Sequence, residues 1–540
     1  MAESIASNTL QTTSIKASPA ASQPQTEEVV TLKMWIAVFG AVIGAFMAIL
    51  DIQITNSSIK EITGGLGATL DDASWISTAY LVAEIVIIPL SGWLTRLFSL
   101  RNYLLGTSMA FLFFSICCGF SWNLESMIFF RVMQGMTGGA LIPLAFQVML
   151  SLPPSKRTIG MALFGFTATF APAIGPTVGG YMTDTFNWKA IFFLNIPPGL
   201  LLLATVVYAI PKEKMKLELI KRIDKWGILT MAVGLSSLTI FLEEGERKDW
   251  FGSHMIVALC IISVVFLTSF FIIELTTDEP FINLRLFKQR NFGLGSLTNF
   301  TIGMAMYGAL YLLPLYLTLV QHYDAIYIGR TMMWAGLPQL FILPFVPKIL
   351  KIFDSRKVAF TGIVIFGISC LMNAYMTSQV GLDQLKWSQI VRALGQPLLM
   401  VPLSTITVGL IAREDAGSAS GLFNMLRNLG GSVGIALLSS MLTIREKFHS
   451  ARIGEGITQY MPQTMYRYNL VQKLFMSSGI DAATARMKSL AVIDAQVRAQ
   501  AYTMAFGDCF FFVGCALVAS SLLILSCKRV SASAGGGEAH

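Results

Sequence analysis

Leu94-Thr95-Arg96-Leu97-Phe98-Ser99-Leu100-Arg101 and Ile349-Leu350-Lys351-Ile352-Phe353-Asp354-Ser355-Arg356 follow one pattern, 255 residues apart: a basic residue, an aliphatic, Phe, two variable positions and Arg. A second pair shares nearly the same offset. Arg131 is followed by Pro143-Leu144, and Arg392, about 260 residues on, is followed by Pro402-Leu403. Two matches in the same order at one offset indicate an internal duplication. What the duplicated unit is follows from what surrounds these stretches.

Apolar segments surround them, each near the roughly 20 residues that a bilayer core requires. Fourteen are predicted: 34–58, 74–95, 103–121, 126–150, 159–182, 190–210, 226–243, 253–274, 293–319, 328–348, 358–377, 388–411, 417–443 and 503–526. Backbone groups in hydrocarbon must pair within their own segment, so the spans are expected to be α-helices. The first motif pair joins span 2 to span 10 and the second joins span 4 to span 12, so helix n corresponds to helix n+8. The expected organisation is a tail over 1–30, a six-helix half over 31–210, a basic loop with two inserted spans over 211–291, a second half over 292–526 and a tail over 527–540.

Composition agrees. The chain is 54% hydrophobic and 13% charged with a mean hydropathy of +0.64, against roughly 25% charged in soluble domains. The net charge of +8 is therefore no nucleic-acid footprint. With the N-terminus in the cytoplasm, 22 of the 39 Lys and Arg fall on the cytoplasmic side and six in short outer loops, the bias that sets orientation. An even number of spans returns the C-terminus to the cytoplasm. The seven Cys lie in or beside apolar runs and read as core residues, and the four His are scattered, so no metal site is expected. Residues 1–30 lack a basic region followed by an apolar run and read as a disordered cytoplasmic tail. Residues 444–502 form an unusually long polar outer connection, helical from about Met465 to Gln500, which is either a docking surface or a tolerated insertion.

A charge in hydrocarbon costs roughly 2.5–3.5 kcal/mol on insertion scales, so charges within spans need a reason. The candidates are Asp51, Glu84, Arg131, Arg392, Arg427 and Asp508, the last near the outer end and expected to be hydrated. Glu243, Glu244 and Glu274 sit at span ends and are expected to be wet. A carboxylate in apolar surroundings is biased toward its neutral form and so serves to pick up a proton on one side and release it on the other. Asp51 and Glu84 are the coupling candidates, with Arg131 as the partner of either. Gln53, Thr55 and Asn56 follow Asp51 within two turns and either line a cavity or bind helices together. Gln134, Asn424, Arg392 and Arg427 complete the cavity candidates. Pro172, Gly175, Pro176, Gly179 and Gly180 bend span 5 and thin one of its faces, as suits a seam that opens and closes. Gly92, Arg96, Arg101, Lys351 and Arg356 mark gating loops.

Together these residues resemble the fourteen-span drug–proton antiporters of the major facilitator superfamily, the EmrB/QacA family (DHA2). The likeness rests on Asp51 in Leu50-Asp51-Ile-Gln-Ile-Thr-Asn56, the run from Trp75 through Gly92-Trp93-Leu94, the Arg131 segment and the Gly-Pro-x-x-Gly-Gly of span 5. Asn187-Trp188-Lys-Ala-Ile-Phe-Phe-Leu-Asn195-Ile-Pro197 and Asn424-Met-Leu-Arg427-Asn-Leu-Gly-Gly-Ser-Val-Gly434 extend it. The resemblance implies an all-α major facilitator fold, two parallel six-helix halves plus two extra helices, with the substrate site between the halves. It implies export of small amphipathic compounds across the inner membrane, driven by protons with no cofactor beyond the proton-motive force. It further implies an EmrA-like periplasmic adaptor and a TolC-like outer-membrane channel as partners, with Asp51 as proton carrier. Three departures stand out: Arg96 replaces an acid usual in the loop after span 2, Glu84 replaces a neutral polar residue of some members, and span 10 has no acid. A dedicated exporter of one metabolite, such as a siderophore or fatty acid, is the alternative. The chain has no paired His, no HExxH and no phosphate-cradling loop, so an enzyme is not expected.

Overall fold

Prolines and glycines decide where the hydrophobic stretches stay straight. The computed structural model describes residues 31–69, 72–222, 224–277, 280–409, 411–412 and 415–529; the expected N-terminal tail, and the C-terminal one from 530 onward, lie outside these. Among the described residues, fourteen helices are long and apolar enough to cross a membrane: α1 (Leu32–Ser57), α2 (Ser74–Phe98), α3 (Leu100–Gly119), α4 (Leu124–Leu150), α5 (Ile159–Thr185), α6 (Ala190–Ala209), α7 (Lys225–Glu244), α8 (His254–Thr276), α9 (Arg290–Leu319), α10 (Ile326–Ile352), α11 (Ser355–Ala374), α12 (Leu382–Val408), α13 (Ala416–Glu455) and α14 (Ala482–Leu525). They match the predicted spans one for one. α6 breaks just before Pro197-Pro198, into Ala190–Phe193 and Ile196–Ala209. α10 is a chain of short α and 3-10 turns in which Pro338, Pro344 and Pro347 each remove a backbone donor.

The duplication is visible in the packing. α1 packs on α5 and α6, α2 on α4, and α3 on α4 and α6; α9 packs on α13 and α14, α10 on α12, and α11 on α12 and α14. Every pair recurs eight helices on. The contacts between the two groups obey the same rule, since α2 meets α13 where α10 meets α5. The motif that disclosed the repeat also does one job twice. Arg101 donates from Nη1 to the Ile210 carbonyl and from Nη2 to that of Val207, both at 2.9 Å. Arg356 donates from Nη1 to the Cys527 carbonyl at 2.9 Å. Each guanidinium closes the C-terminal end of the last helix of its group, where orphan carbonyls and the negative dipole end favour a cation.

The inserted pair breaks the symmetry. α7 packs against both α2 and α13, covering one of the two seams between the groups, while α8 packs mainly on α7. α8 has a mean hydropathy of 3.0 over its most apolar window, little of which is buried by protein, so it faces lipid.

Three expectations change. The 444–502 connection is helical over most of its length: α13 runs on to Glu455, and the helix expected over Met465–Gln500 is present but split, a short helix covering Pro462–Ser477 and α14 beginning at Ala482. Hydropathy marks where a helix leaves lipid, not where it ends, and between Ile444 and Ile453 there is no Pro or Gly to stop it. Glu244 and Glu274 are buried, not wet. Asp508 is paired rather than merely hydrated. Its Oδ2 accepts from Arg445 Nε at 2.6 Å and lies 2.8 Å from His449 Nε2, tying α14 to α13.

Candidate functional site

Two polar centres lie inside the bundle. In the first, Asp51 of α1 is 3% exposed and Arg131 of α4 is fully buried. Arg131 Nη1 donates to Asp51 Oδ2 at 2.6 Å and to Gln134 Oε1 at 2.8 Å. Asp51 Oδ1 accepts from Gln134 Nε2 at 3.1 Å and from Asn195 Nδ2 at 2.6 Å. Asn195, at the break of α6, also donates to Ser115 Oγ of α3 at 3.0 Å. Arg131 Nε reaches the Ile76 carbonyl at 3.2 Å, and the guanidinium stacks 4.3 Å from the Tyr80 ring centroid. Asp51 thus receives three donors and one formal charge, as a buried carboxylate requires. Local glycines make room: a Cβ on Gly135 would lie 2.4 Å from the Tyr80 carbonyl oxygen.

The second centre faces a cavity of about 80 Å³ between the two helix groups, lined by Gln53, Asn56, Glu84, Glu243, Tyr307, Asn428 and Ser432 among apolar Ile52, Leu81, Ile85 and Ile435. Glu84 is 2% exposed. Its Oε1 accepts from Asn428 Nδ2 at 3.2 Å, and Asn428 Oδ1 accepts from Tyr307 at 3.4 Å. That chain joins α2, α13 and α9, so it crosses the boundary between the groups. A second recess of about 380 Å³ shares Gln53, Asn56, Tyr307 and Ile435 and continues toward Ser57 and Thr318, at the C-terminal ends of α1 and α9.

The opposite end is shut. A Cβ on Gly92 of α2 would lie 2.6 Å from the Gly417 carbonyl carbon of α13. Gly421 sits against the Ile88 carbonyl and Pro89, and Ser420 Oγ reaches the Pro143 carbonyl at 3.3 Å. Phe146 meets Phe164 edge to face and Phe423 at a tilt, with centroids at 5.5 and 6.1 Å. Beyond this plug Arg96 is exposed in a recess with Lys214, Lys216 and Gly417. The cavity is closed on the side where α1 begins and extends toward the side where α1 ends.

Among the cavity candidates, Gln53 and Asn56 line the space. Thr55 instead donates to the Asp51 carbonyl at 2.8 Å, and Gln134 belongs to the Asp51 centre. Asn424 is buried and donates to the Ser420 carbonyl at 2.9 Å. Arg427 lies 5.9 Å from the Phe164 ring and Arg392 5.4 Å from that of Phe366, both buried; Arg392 Nη2 reaches the Met306 carbonyl at 3.4 Å. Gly175 and Gly179 of α5 pack on Gln53 and Ser57 of α1, Pro176 borders the outer recess, and Thr177 abuts Gly329 of α10. Pro172 and Gly180 are buried in the same helix, which therefore lies between α1 and the other group. Lys351 is exposed at the end of α10. Sequence reasoning missed Glu243, Tyr307, Asn428 and Ser432 as cavity residues, and Asn195 as a ligand of Asp51.

The sequence profile described as the Major Facilitator Superfamily matches residues 41–435. The chain is 34% identical over 496 residues to the colistin resistance protein EmrB of Acinetobacter baumannii, covering 91% of this chain and 96% of that one. It is 32% identical over 502 residues to the multidrug export protein EmrB of Escherichia coli K12, covering 92% and 96%. It is 32% identical over 433 residues to the fatty acid resistance protein FarB of Neisseria gonorrhoeae, covering 80% and 84%. Among solved structures it resembles the human organic anion transporter MFSD10 with a TM-score of 0.55 at 12% identity, over 90% of this chain and 99% of that one, which speaks to fold alone.

Proposed function

We propose, from the premise that this chain belongs to the major facilitator superfamily and within it to the EmrB multidrug-export group, that it exchanges amphipathic compounds for protons across the bacterial inner membrane. It is a multi-pass integral membrane transporter. The observation that carries the proposal is the cavity itself. It lies between the repeats, has apolar walls, holds the carboxylate Glu84 and is closed at one end by a glycine-to-glycine contact. A carboxylate next to a closable cavity is what coupling needs, because loading and release of substrate then coincide with a change in its surroundings.

The two centres receive different roles. Asp51 and Arg131 hold α1, α4 and α6 together and fix the frame. Glu84, whose one hydrogen-bond partner among the described residues is the neutral Asn428, is free to gain and lose a proton. With the N-terminal side in the cytoplasm, as the Lys and Arg bias indicates, the cavity is in its outward-directed form, and opening of the Gly92–Gly417 contact admits substrate from the cytoplasm. Moving one proton down 100 mV is worth roughly 2.3 kcal/mol, enough to drive accumulation.

The outer helices suit an assembly. At 1.5 Å per residue, the 40-residue α13 and 44-residue α14 reach roughly 60 Å, about twice the hydrocarbon thickness. Beyond the membrane α13 carries exposed Phe448, α14 carries exposed Met487, and the segment between them carries exposed Tyr460 and Tyr466. An EmrA-like adaptor leading to a TolC-like channel fits this projection. Fatty acids are a second cargo class, favoured by the likeness to FarB.

The test uses inverted vesicles with an imposed pH gradient. Addition of an amphipathic drug should dissipate the gradient with the wild type and fail to do so with Glu84→Gln. Equal dissipation by both, with a substrate the wild type demonstrably moves, would refute the assignment of Glu84.

A further inference from the structure

α7 has no counterpart in the repeat, yet its last turn reaches the central cavity. Glu243 lines the same space as Glu84. Its neighbour Glu244 turns about 100° away, accepts from Thr78 Oγ1 at 3.2 Å and pairs with Arg247 at 3.1 Å. One acid of the adjacent pair is thus neutralised outside the cavity, while the other faces in.

Glu243 is not satisfied there. Ser432 of α13 lies within reach of its side chain, while its buried Oε1 has no hydrogen-bond partner among the described residues. No Lys, Arg or His lines the cavity or its outward recess among the described residues. The groups facing it are Glu84 of α2, Tyr307 of α9, Asn428 and Ser432 of α13, and Thr239 of its own helix. Glu244 of its own helix and Tyr311 of α9 lie within electrostatic range of it, and Arg427 and Arg131 within range of Glu84. A buried carboxylate oxygen without a donor is unfavourable unless a proton or a cation reaches it. Ile52, Leu81, Ile85 and Ile435 supply an apolar wall beside it.

We propose that Glu243 is a substrate-recognition residue, taking the positively charged group of amphipathic cations while Glu84 carries the exchanged proton. The inserted helix pair then gives the cavity a function beyond what the duplicated halves provide. A cation and a proton compete for the Glu243 carboxylate, so binding a monovalent cation there releases up to one proton and conserves charge. Substrates without a cationic group do not use this residue. This inference rests on the reading of the cavity as the transport site.

The experiment is equilibrium binding to the purified full-length protein in detergent, with tetraphenylphosphonium as the cationic probe and a hydrophobic carboxylate of similar size as the anionic one. Proton release is read in weakly buffered medium, and monodispersity on gel filtration confirms folding. Glu243→Gln should weaken tetraphenylphosphonium binding at least tenfold and abolish the proton released on binding, with the anionic probe bound within twofold of wild type. Glu243→Asp should restore most of both effects. If Glu243→Gln binds the cation as the wild type does, or loses both probes equally while staying monodisperse, the inference is overturned. If the wild type binds neither probe, the reading of the cavity falls and the inference with it. Cation binding by the wild type that is unaltered in Glu243→Gln overturns this inference alone.

Discussion

Replacing Asp51 with Asn should destabilise the protein far more than replacing Glu84 with Gln, although both changes remove one buried negative charge. The difference follows from counting donors. Asp51 accepts from Arg131, Gln134 and Asn195 across its two oxygens. An amide keeps one oxygen and turns an NH2 toward donors, so at least one donor then faces another. Arg131, fully buried, also loses its only ion-pair partner among the described residues. Removing one member of a buried pair costs roughly 3–5 kcal/mol, or a factor of about 10² to 10⁴ in the folding equilibrium. Glu84 accepts one hydrogen bond, from Asn428, and a Gln oxygen can still accept it, so the expected cost is below about 1 kcal/mol. The assay is reversible unfolding in mixed micelles for Asp51→Asn, Arg131→Gln and the double variant. The cycle should give a coupling of at least about 2 kcal/mol, since the double variant leaves no unpaired charge. Stability of Asp51→Asn within 1 kcal/mol of wild type, or a coupling near zero, would refute the framework role.

Gly92→Val should force α2 and α13 apart at the closed end, because even a Cβ there meets Gly417 backbone at 2.6 Å. Overpacking typically costs 1–3 kcal/mol, so labelling of a cysteine introduced at Ser420 should rise several-fold; unchanged labelling would disprove the closure. Arg101→Ala and Arg356→Ala should weaken the protein by similar amounts, about 1–2 kcal/mol each, and add when combined, since they close different helices; a large effect of one alone would contradict their equivalence. Hydrogen bonding by Arg356 holds the Asp354 carboxyl below its ordinary range. A depressed pKa contributes stability above the unfolded value of about 3.9 that is lost as pH falls through the folded value, so Asp354→Asn should flatten the acid limb of a stability profile below about pH 4 and leave the limb above pH 6 parallel to wild type.

The sequence by itself determined the fourteen helices, the n to n+8 repeat and the family. These are written in local hydropathy, in short motifs and in the requirement that lipid-embedded backbone pair with itself. It also exposed Asp51, Glu84 and Arg131, because charge in an apolar run is conspicuous. Only the tertiary structure decided which carboxylate belongs to which centre. Asp51 and Glu84 look alike in sequence, yet the partners that separate them come from Asn195 on α6 and Asn428 on α13, 144 and 344 residues away. Glu243 was invisible for the opposite reason. A glutamate at a span end reads as hydrated, and nothing in Leu-Glu-Glu-Gly tells which of two adjacent acids turns toward the cavity. That choice belongs to the rotation of α7 against α2 and α13, which is set by side-chain packing between segments far apart in the chain and not by any local pattern.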